Sequence, residues 1–168
     1  MTIEGKKEKF IEAWGQLGTK WGISKTMAHI HALLLFADEH MCADQITEAL
    51  GISRGNTCMN IKSLVEWELI HGISIPGDRK EYYEAEKDMW TIFTKIIQKR
   101  KEQELVPLQD LLEELSSDGL NIDTPEHQKF QNKISEMKMF ANKADGMLTS
   151  FVNSENSWLM KGMKMMMR

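Results

Sequence analysis

Arg54, Asn56, Asn60 and Lys62 recur on one side of a short helical segment, and Arg79 and Lys80 follow a Pro76-Gly77-Asp78 turn. An arginine fork can pair with a guanine edge and an asparagine amide with adenine, while cations and hydroxyls hold phosphates. The chemistry on offer is therefore recognition of duplex DNA, with no bond made or broken. Ser53, Arg54, Gly55, Asn56, Met59, Asn60, Lys62 and Ser63 form the candidate reading face. Arg54, Asn56 and Asn60 are expected on base edges. Ser53, Lys62, Ser63, Arg79 and Lys80 are expected on phosphates or in the minor groove. A polar face needs no function by itself. What raises this one above the background is the basic-tipped turn that follows it.

The elements that must hold these groups are legible around them. Ile46, Ala49 and Leu50 mark one helix, and Gly51 is a left-handed stop. Ser53 offers a hydroxyl cap to a second helix whose Thr57, Ile61, Leu64 and Val65 face inward. Ile70, Ile73 and Ile75 lead into the turn, and Glu81, Tyr82, Tyr83 and Glu84 return from it as a second strand. A two-stranded ribbon alone is marginal in water, so it must lean on the helices, with Arg79 and Lys80 at its outer tip. Helix, tight turn, helix and ribbon make a winged helix-turn-helix, expected over residues 25–86.

The runs Leu50-Gly51-Ile52-Ser53-Arg54-Gly55-Asn56, Glu66-Trp67-Glu68-Leu69-Ile70 and Pro76-Gly77-Asp78-Arg79-Lys80-Glu81-Tyr82-Tyr83-Glu84-Ala85 resemble the GbsR-like branch of the MarR superfamily. Trp21-Gly22-Ile23-Ser24-Lys25-Thr26-Met27-Ala28-His29-Ile30 is similar to the stretch that precedes its DNA-binding unit. The likeness extends from Trp14 to Leu115, and the wing-tip run is its most specific part. It implies a dimeric repressor, and some members sense quaternary-ammonium osmoprotectant precursors such as choline. Two positions depart from the pattern. Glu68 stands where a glycine usually ends the recognition helix, and Thr57 replaces an aliphatic residue.

Composition bounds the remaining classes. The 168 residues are 42% hydrophobic and 27% charged, which fits one soluble domain. No apolar run approaches the roughly 18 residues of a membrane span, and no apolar stretch follows the first lysines, so the expected place is the cytoplasm with no membrane partner. A net charge of −4 argues against coating nucleic acid indiscriminately, though not against a local basic site. Cys42 and Cys58 flank the first helix of the pair and are expected as free thiols, Cys58 small and partly buried. Oxidation of Cys58 is a conceivable sensor and the weaker reading. His40 and Cys42, read as two apart on a helix, point away from each other, and with His29 and His31 they assemble no metal set. There is no phosphate loop, nucleophile elbow or zinc-hydrolase helix, so neither an enzyme nor a cofactor is expected.

The flanks are helical. Phe10, Trp14, Leu17 and Trp21 line a supporting helix over residues 1–24, as core or as dimer seam, and Met27, Ile30, Leu34 and Ala37 face inward from the next. Residues 87–168 are expected as long dimerisation helices: Lys87 to Leu115, bent at Pro107, then a helix opened by Thr124-Pro125-Glu126. In that last helix Phe130, Ile134, Met137, Ala141, Ala144, Leu148 and Phe151 alternate by four and three, a narrow seam that a partner helix must cover. The partner could lie in the same chain or in a second one. A homodimer reading a palindromic operator, with recognition helices about 34 Å apart, is the preferred arrangement. The methionine-dense end, Trp158 to Arg168, reads as a frayed or packing terminus rather than a Cu(I) site. Trp14, Trp21, Tyr83, Trp90 and Phe93 are the rings that could cage a cationic effector by cation–π attraction, whereas Trp67 reads as a packing residue. The leading expectation is a mainly α winged-helix DNA-binding repressor released by a small molecule. The alternative is a winged-helix protein-interaction module without DNA binding.

Overall fold

A computed structural model describes residues 2–20, 22–117 and 124–153. The chain forms α1 (Ile3–Lys20), α2 (Lys25–Leu35), β1 (Met41–Cys42), α3 (Ala43–Leu50), α4 (Arg54–Glu66), β2 (Ile70–Ser74) and β3 (Glu81–Ala85). It continues as α5 (Met89–Arg100), a wide π turn (Lys101–Leu105), α6 (Val106–Ser116) and α7 (Pro125–Val152). It divides into two units, Met1–Lys95 and Ile96–Arg168.

In the first unit α1 lies close against α2 because glycines face the contact. A Cβ on Gly18 would meet the Cβ of Ala28 at 2.6 Å, so no larger residue fits without moving backbone. Ser24 caps α2, its Oγ accepting from the Met27 amide at 2.9 Å. At the other end the Lys87 ammonium donates to the carbonyls of Leu34, Leu35 and Ala37, gathering the end of α2 and the turn after it. Met27, Ile30 and Leu34 are buried as expected, and α2 also buries Ala28, His31 and Ala32. The core is completed by Ile46, Thr57, Leu64 and Ile70 from the helix pair and the sheet.

The wing strands pair in antiparallel register from Ile70↔Ala85 to Ser74↔Glu81. The ribbon is not two-stranded as the sequence indicated. Met41 and Cys42 add a third strand on the far side of β3, opposite Tyr83 and Tyr82, giving the order β1-β3-β2. This also corrects the helical placement of His40 and Cys42. The short strand closes one edge of β3 and feeds directly into α3, so the wing is hydrogen-bonded to the helix pair's own entry.

In the second unit α6 packs on α7 through Leu112, Ile134 and Ala141, with Leu105 and Leu115 against them. Lys101 pairs with Asp145 at 2.9 Å and donates to Thr149, and Lys138 pairs with Glu113. The expected bend at Pro107 takes a specific form. The proline sits in the first turn of α6, and the irregularity it brings is absorbed just before it as the π turn. Thr124 caps α7, accepting from the His127 amide at 3.2 Å. Of the seven apolar positions expected to form one covered seam, only Ile134 and Ala141 are buried, while Phe130, Met137 and Phe151 are exposed. Trp158 to Arg168 lie outside the described residues. Among the described residues no helix is long and apolar enough to cross a membrane.

Candidate nucleic-acid interface

The corner between α3 and α4 is fixed by small polar residues. Gly51 takes the left-handed conformation at φ 61° that ends α3, and Ser53 Oγ accepts from the Asn56 amide to begin α4. Thr57 is fully buried, and its hydroxyl donates to the Ser53 carbonyl and accepts from Thr47 Oγ1 at 2.8 Å. A threonine thus replaces an aliphatic residue without leaving a polar atom unsatisfied. It ties the two helices together.

The outward side of α4 carries Arg54, Gly55, Cys58, Met59, Lys62 and Val65. Two sequence-based placements are corrected here. Asn60, expected on base edges, is only 5% exposed. Its amide nitrogen donates to both the carbonyl and Oδ1 of Asn56 at 2.8 Å, and its oxygen accepts from Ser24 Oγ at 2.6 Å. Every donor and acceptor direction it has toward the protein is used, so Asn60 holds α4 onto α2 rather than reaching outward. Val65, expected inward, is 41% exposed. Asn56 is half-buried, and its amide nitrogen donates to Thr26 Oγ1 at 3.3 Å, so it too is engaged at rest. The buried set Thr57, Asn60, Ile61 and Leu64 is a complete three-and-four helical stripe. That spacing was the signal that could have placed Asn60 inside. Ser63 is half-buried, its hydroxyl turned back to the Met59 carbonyl, and Cys58 is exposed rather than partly buried.

Gly55 has no steric reason to be glycine. Its backbone is ordinary helix, and a Cβ there would meet nothing within 4 Å. Helix α4 ends at Glu66, and Trp67 caps it. Glu68 then adopts φ 56°, the left-handed region where a glycine would be unstrained. Lys95 steadies it, donating to its carbonyl at 2.8 Å and lying 3.7 Å from its carboxylate.

At the wing tip Gly77 (φ 88°) makes the turn, and Asp78 locks it. Asp78 Oδ1 accepts from the Lys80 amide at 2.9 Å and Oδ2 from the Tyr82 hydroxyl at 2.8 Å. These two bonds, the backbone one first, hold the Asp78 carboxyl below its ordinary range. Arg79 and Lys80 stand exposed on this turn. The guanidinium of Arg54 lies 3.2 Å from Asp44 Oδ1, and the Lys80 ammonium lies 3.6 Å from Asp44 Oδ2. The start of α4 and the wing tip are therefore joined through one carboxylate.

The expected effector rings are dispersed over several elements. Trp14 stacks on Phe10 at 5.4 Å and lies 6.4 Å from His31, while Trp90 meets Phe93 at 6.0 Å. Tyr83 belongs to β3, where burial and a hydrogen bond to Glu81 raise its hydroxyl to about 12. Trp21 lies outside the described residues. A cavity of about 530 Å³ opens between α1, α2 and α3, lined by Glu12, His29, Leu33, Phe36 and Leu50 among others, and none of the expected rings lines it. Among the described residues no cluster of His, Cys, Asp or Glu could hold a metal.

No family model matches the chain. It is 24% identical over 116 residues to the HTH-type transcriptional repressor GbsR of Bacillus subtilis (strain 168), covering 69% of this chain. The chain spans 64% of that relative's length. A crystal structure of a transcriptional regulator superposes with a TM-score of 0.69 at 18% identity, over 90% of this chain and 98% of that one. The chain resembles the GbsR repressor in sequence and this solved regulator in fold. Its fold is that of the winged-helix regulators, mainly helical with a small antiparallel sheet. An S. aureus MepR mutant bound to an oligodeoxyribonucleotide is more distant, at a TM-score of 0.41 and 12% identity over 80% of this chain and 89% of that one. In this chain the start of α4 and the wing tip are both exposed and both cationic, through Arg54, Arg79 and Lys80.

Proposed function

We propose that this chain is a sequence-specific DNA-binding transcriptional repressor that acts as a homodimer on a palindromic operator and is released by a small molecule. The observation that carries the reading is Gly55. A glycine in the first turn of a helix costs stability, and this one relieves no clash and no backbone strain. It makes sense where another molecule's backbone must come close, and Arg54 beside it and Lys62 further along keep the exposed side of α4 cationic. Arg54 would take a base edge or phosphate, Arg79 and Lys80 the phosphates or minor groove beside the wing, and Lys62 and Ser53 further phosphates. Met59 presents an apolar contact suited to a thymine methyl. Asn60 supports that face from behind, and Asn56 joins it only by giving up Thr26.

Dimerisation is supported by the second unit, whose Leu108, Leu111, Met137 and Phe140 stay exposed. The cavity lined by Glu12, His29, Leu33 and Phe36 is better placed than the scattered tryptophans to hold an effector. The repressor sign follows the likeness to GbsR. The exposed Met59 and Val65 also fit a protein-facing module, so duplex binding decides between the two readings.

Gly55→Ala is the test. It should raise the chain's unfolding free energy by roughly 0.5 kcal/mol, because alanine is the better helix former, while weakening duplex binding about tenfold. Calorimetry and fluorescence anisotropy read the two quantities on one sample. Tighter folding with unchanged duplex affinity would remove the close-approach reading, and a wild-type chain indifferent to every duplex in low salt would end the DNA reading itself.

A further inference from the structure

Four cations crowd the proposed DNA face, and they are not equally available. Asp78, the acid nearest in sequence, is occupied by the Lys80 amide and the Tyr82 hydroxyl, so its carboxylate shapes the turn. Asp44 is different. It stands in the first turn of α3, an element that contributes nothing else to the reading face, and each of its oxygens meets a cation from a different element. Oδ1 lies 3.2 Å from Arg54 Nη1 at the start of α4, and Oδ2 lies 3.6 Å from Lys80 Nζ at the wing tip. The three side chains are 48%, 74% and 56% exposed, for Asp44, Arg54 and Lys80, so the network faces solvent and can exchange partners. Arg79 and Lys62 are in no such pair among the described residues.

We propose that the Asp44 carboxylate stands where a backbone phosphate of bound DNA would lie, positioning Arg54 and Lys80 for it and competing with it. A carboxylate and a phosphodiester both present two anionic oxygens to a pair of cations, so the same gap between α4 and wing accepts either. Binding then proceeds by exchange: the phosphate takes the two cations and Asp44 is left beside it as a like charge. Electrostatic, sequence-independent attraction is what makes a regulator stick to any duplex. An internal anion subtracts from that term for every sequence alike, and only an operator with good base contacts overcomes it. Asp44 in this sense lowers the background affinity for every duplex and leaves the ratio between sequences to the base contacts.

The inference rests on the DNA reading, and the experiment separates the two. Wild type, Asp44→Asn, Arg54→Ala/Lys80→Ala and the triple variant are titrated by anisotropy against a labelled duplex of scrambled sequence, across a range of salt. Asp44→Asn should bind that duplex about three- to tenfold tighter than wild type at low salt, the gain shrinking as salt rises. In the Arg54→Ala/Lys80→Ala background the same change should do almost nothing, because there is no pair left to free. Two results overturn the proposal: no gain on the wild-type background, or an equal gain on both, which would make Asp44 a matter of net charge alone. If no variant binds any duplex in low salt while circular dichroism shows all four folded, the DNA reading falls first and this inference with it.

Discussion

The two units of this chain bury apolar surface in different ways. In the first, α2, α3, α4 and the sheet enclose Ile30, Leu34, Ile46, Leu64 and Ile70, each 1% exposed or less. In the second, the described residues bury Leu112, Ile134 and Ala141, and leave Phe140 and Met147 at 74% exposed and Met139 at 55%. A helix pair with so few enclosed side chains gains little from its own core, and its apolar surface exceeds what a solvated face needs. The first unit encloses its own core and carries the proposed DNA face on its outside. The second is a fold whose outside is still unfinished, and a second copy is the proposed finish.

The sharpest way to break this contrast is Leu64→Ala. At 1% exposure, in the centre of the first unit, it should cost about 2–5 kcal/mol, measured by denaturant unfolding. A loss under about 1 kcal/mol would mean that the core is looser than its burial implies. Next in size is a pH effect confined to the same unit. Burial, with the nearby Lys87 charge, lowers His31 from 6.5 to about 4. The folded chain holds this imidazole neutral, whereas the unfolded chain protonates it below 6.5. Stability from this residue is therefore full above that value and falls as pH drops toward 4, by on the order of 3 kcal/mol in total. His31→Gln should flatten this part of the stability profile. A profile unchanged by the substitution would place the acid sensitivity elsewhere. The smallest expected change to the folded chain, and the one that tests the second unit, is Phe140→Glu. At 74% exposure it should shift unfolding of the separated chain by under about 0.5 kcal/mol, yet lower the assembled mass in analytical ultracentrifugation. An assembly untouched by that charge would move the proposed seam off Phe140.

What the sequence disclosed follows from how locally each feature is encoded. Gly51 as a left-handed stop, Ser53 as a cap, the Pro76-Gly77-Asp78 turn and the Thr124-Pro125 helix start are decided within three or four residues, and all are found where their chemistry puts them. The third strand was hidden because Met41–Cys42 is two residues long and has no alternation to read. Its pairing is set by Tyr82 and Tyr83, some forty residues away in the chain. Asn60 was placed outward because it is polar, and the Ser24 hydroxyl that makes its burial tolerable lies 36 residues earlier. Sequence indicates which residues can read DNA far better than which are left over to do so. Arg54 and Lys80 illustrate the point, since only the structure shows Asp44 holding them both.

Glu68 carries a last consequence. A side-chained residue in a left-handed joint is a sprung one, and here it is held by the Glu68 and Leu69 amides, which donate to Val65 and Leu64, and by the Lys95 ammonium on α5. Turning α5 by one residue's worth, about 100°, would carry that ammonium away from the joint between α4 and the wing. The turn that leads from α4 into the wing is thus steadied from α5 as well as from its own backbone. Glu68→Gly would release the strain and keep the Lys95 bond, which goes to a backbone carbonyl, so the joint should hold its bearing at a lower cost.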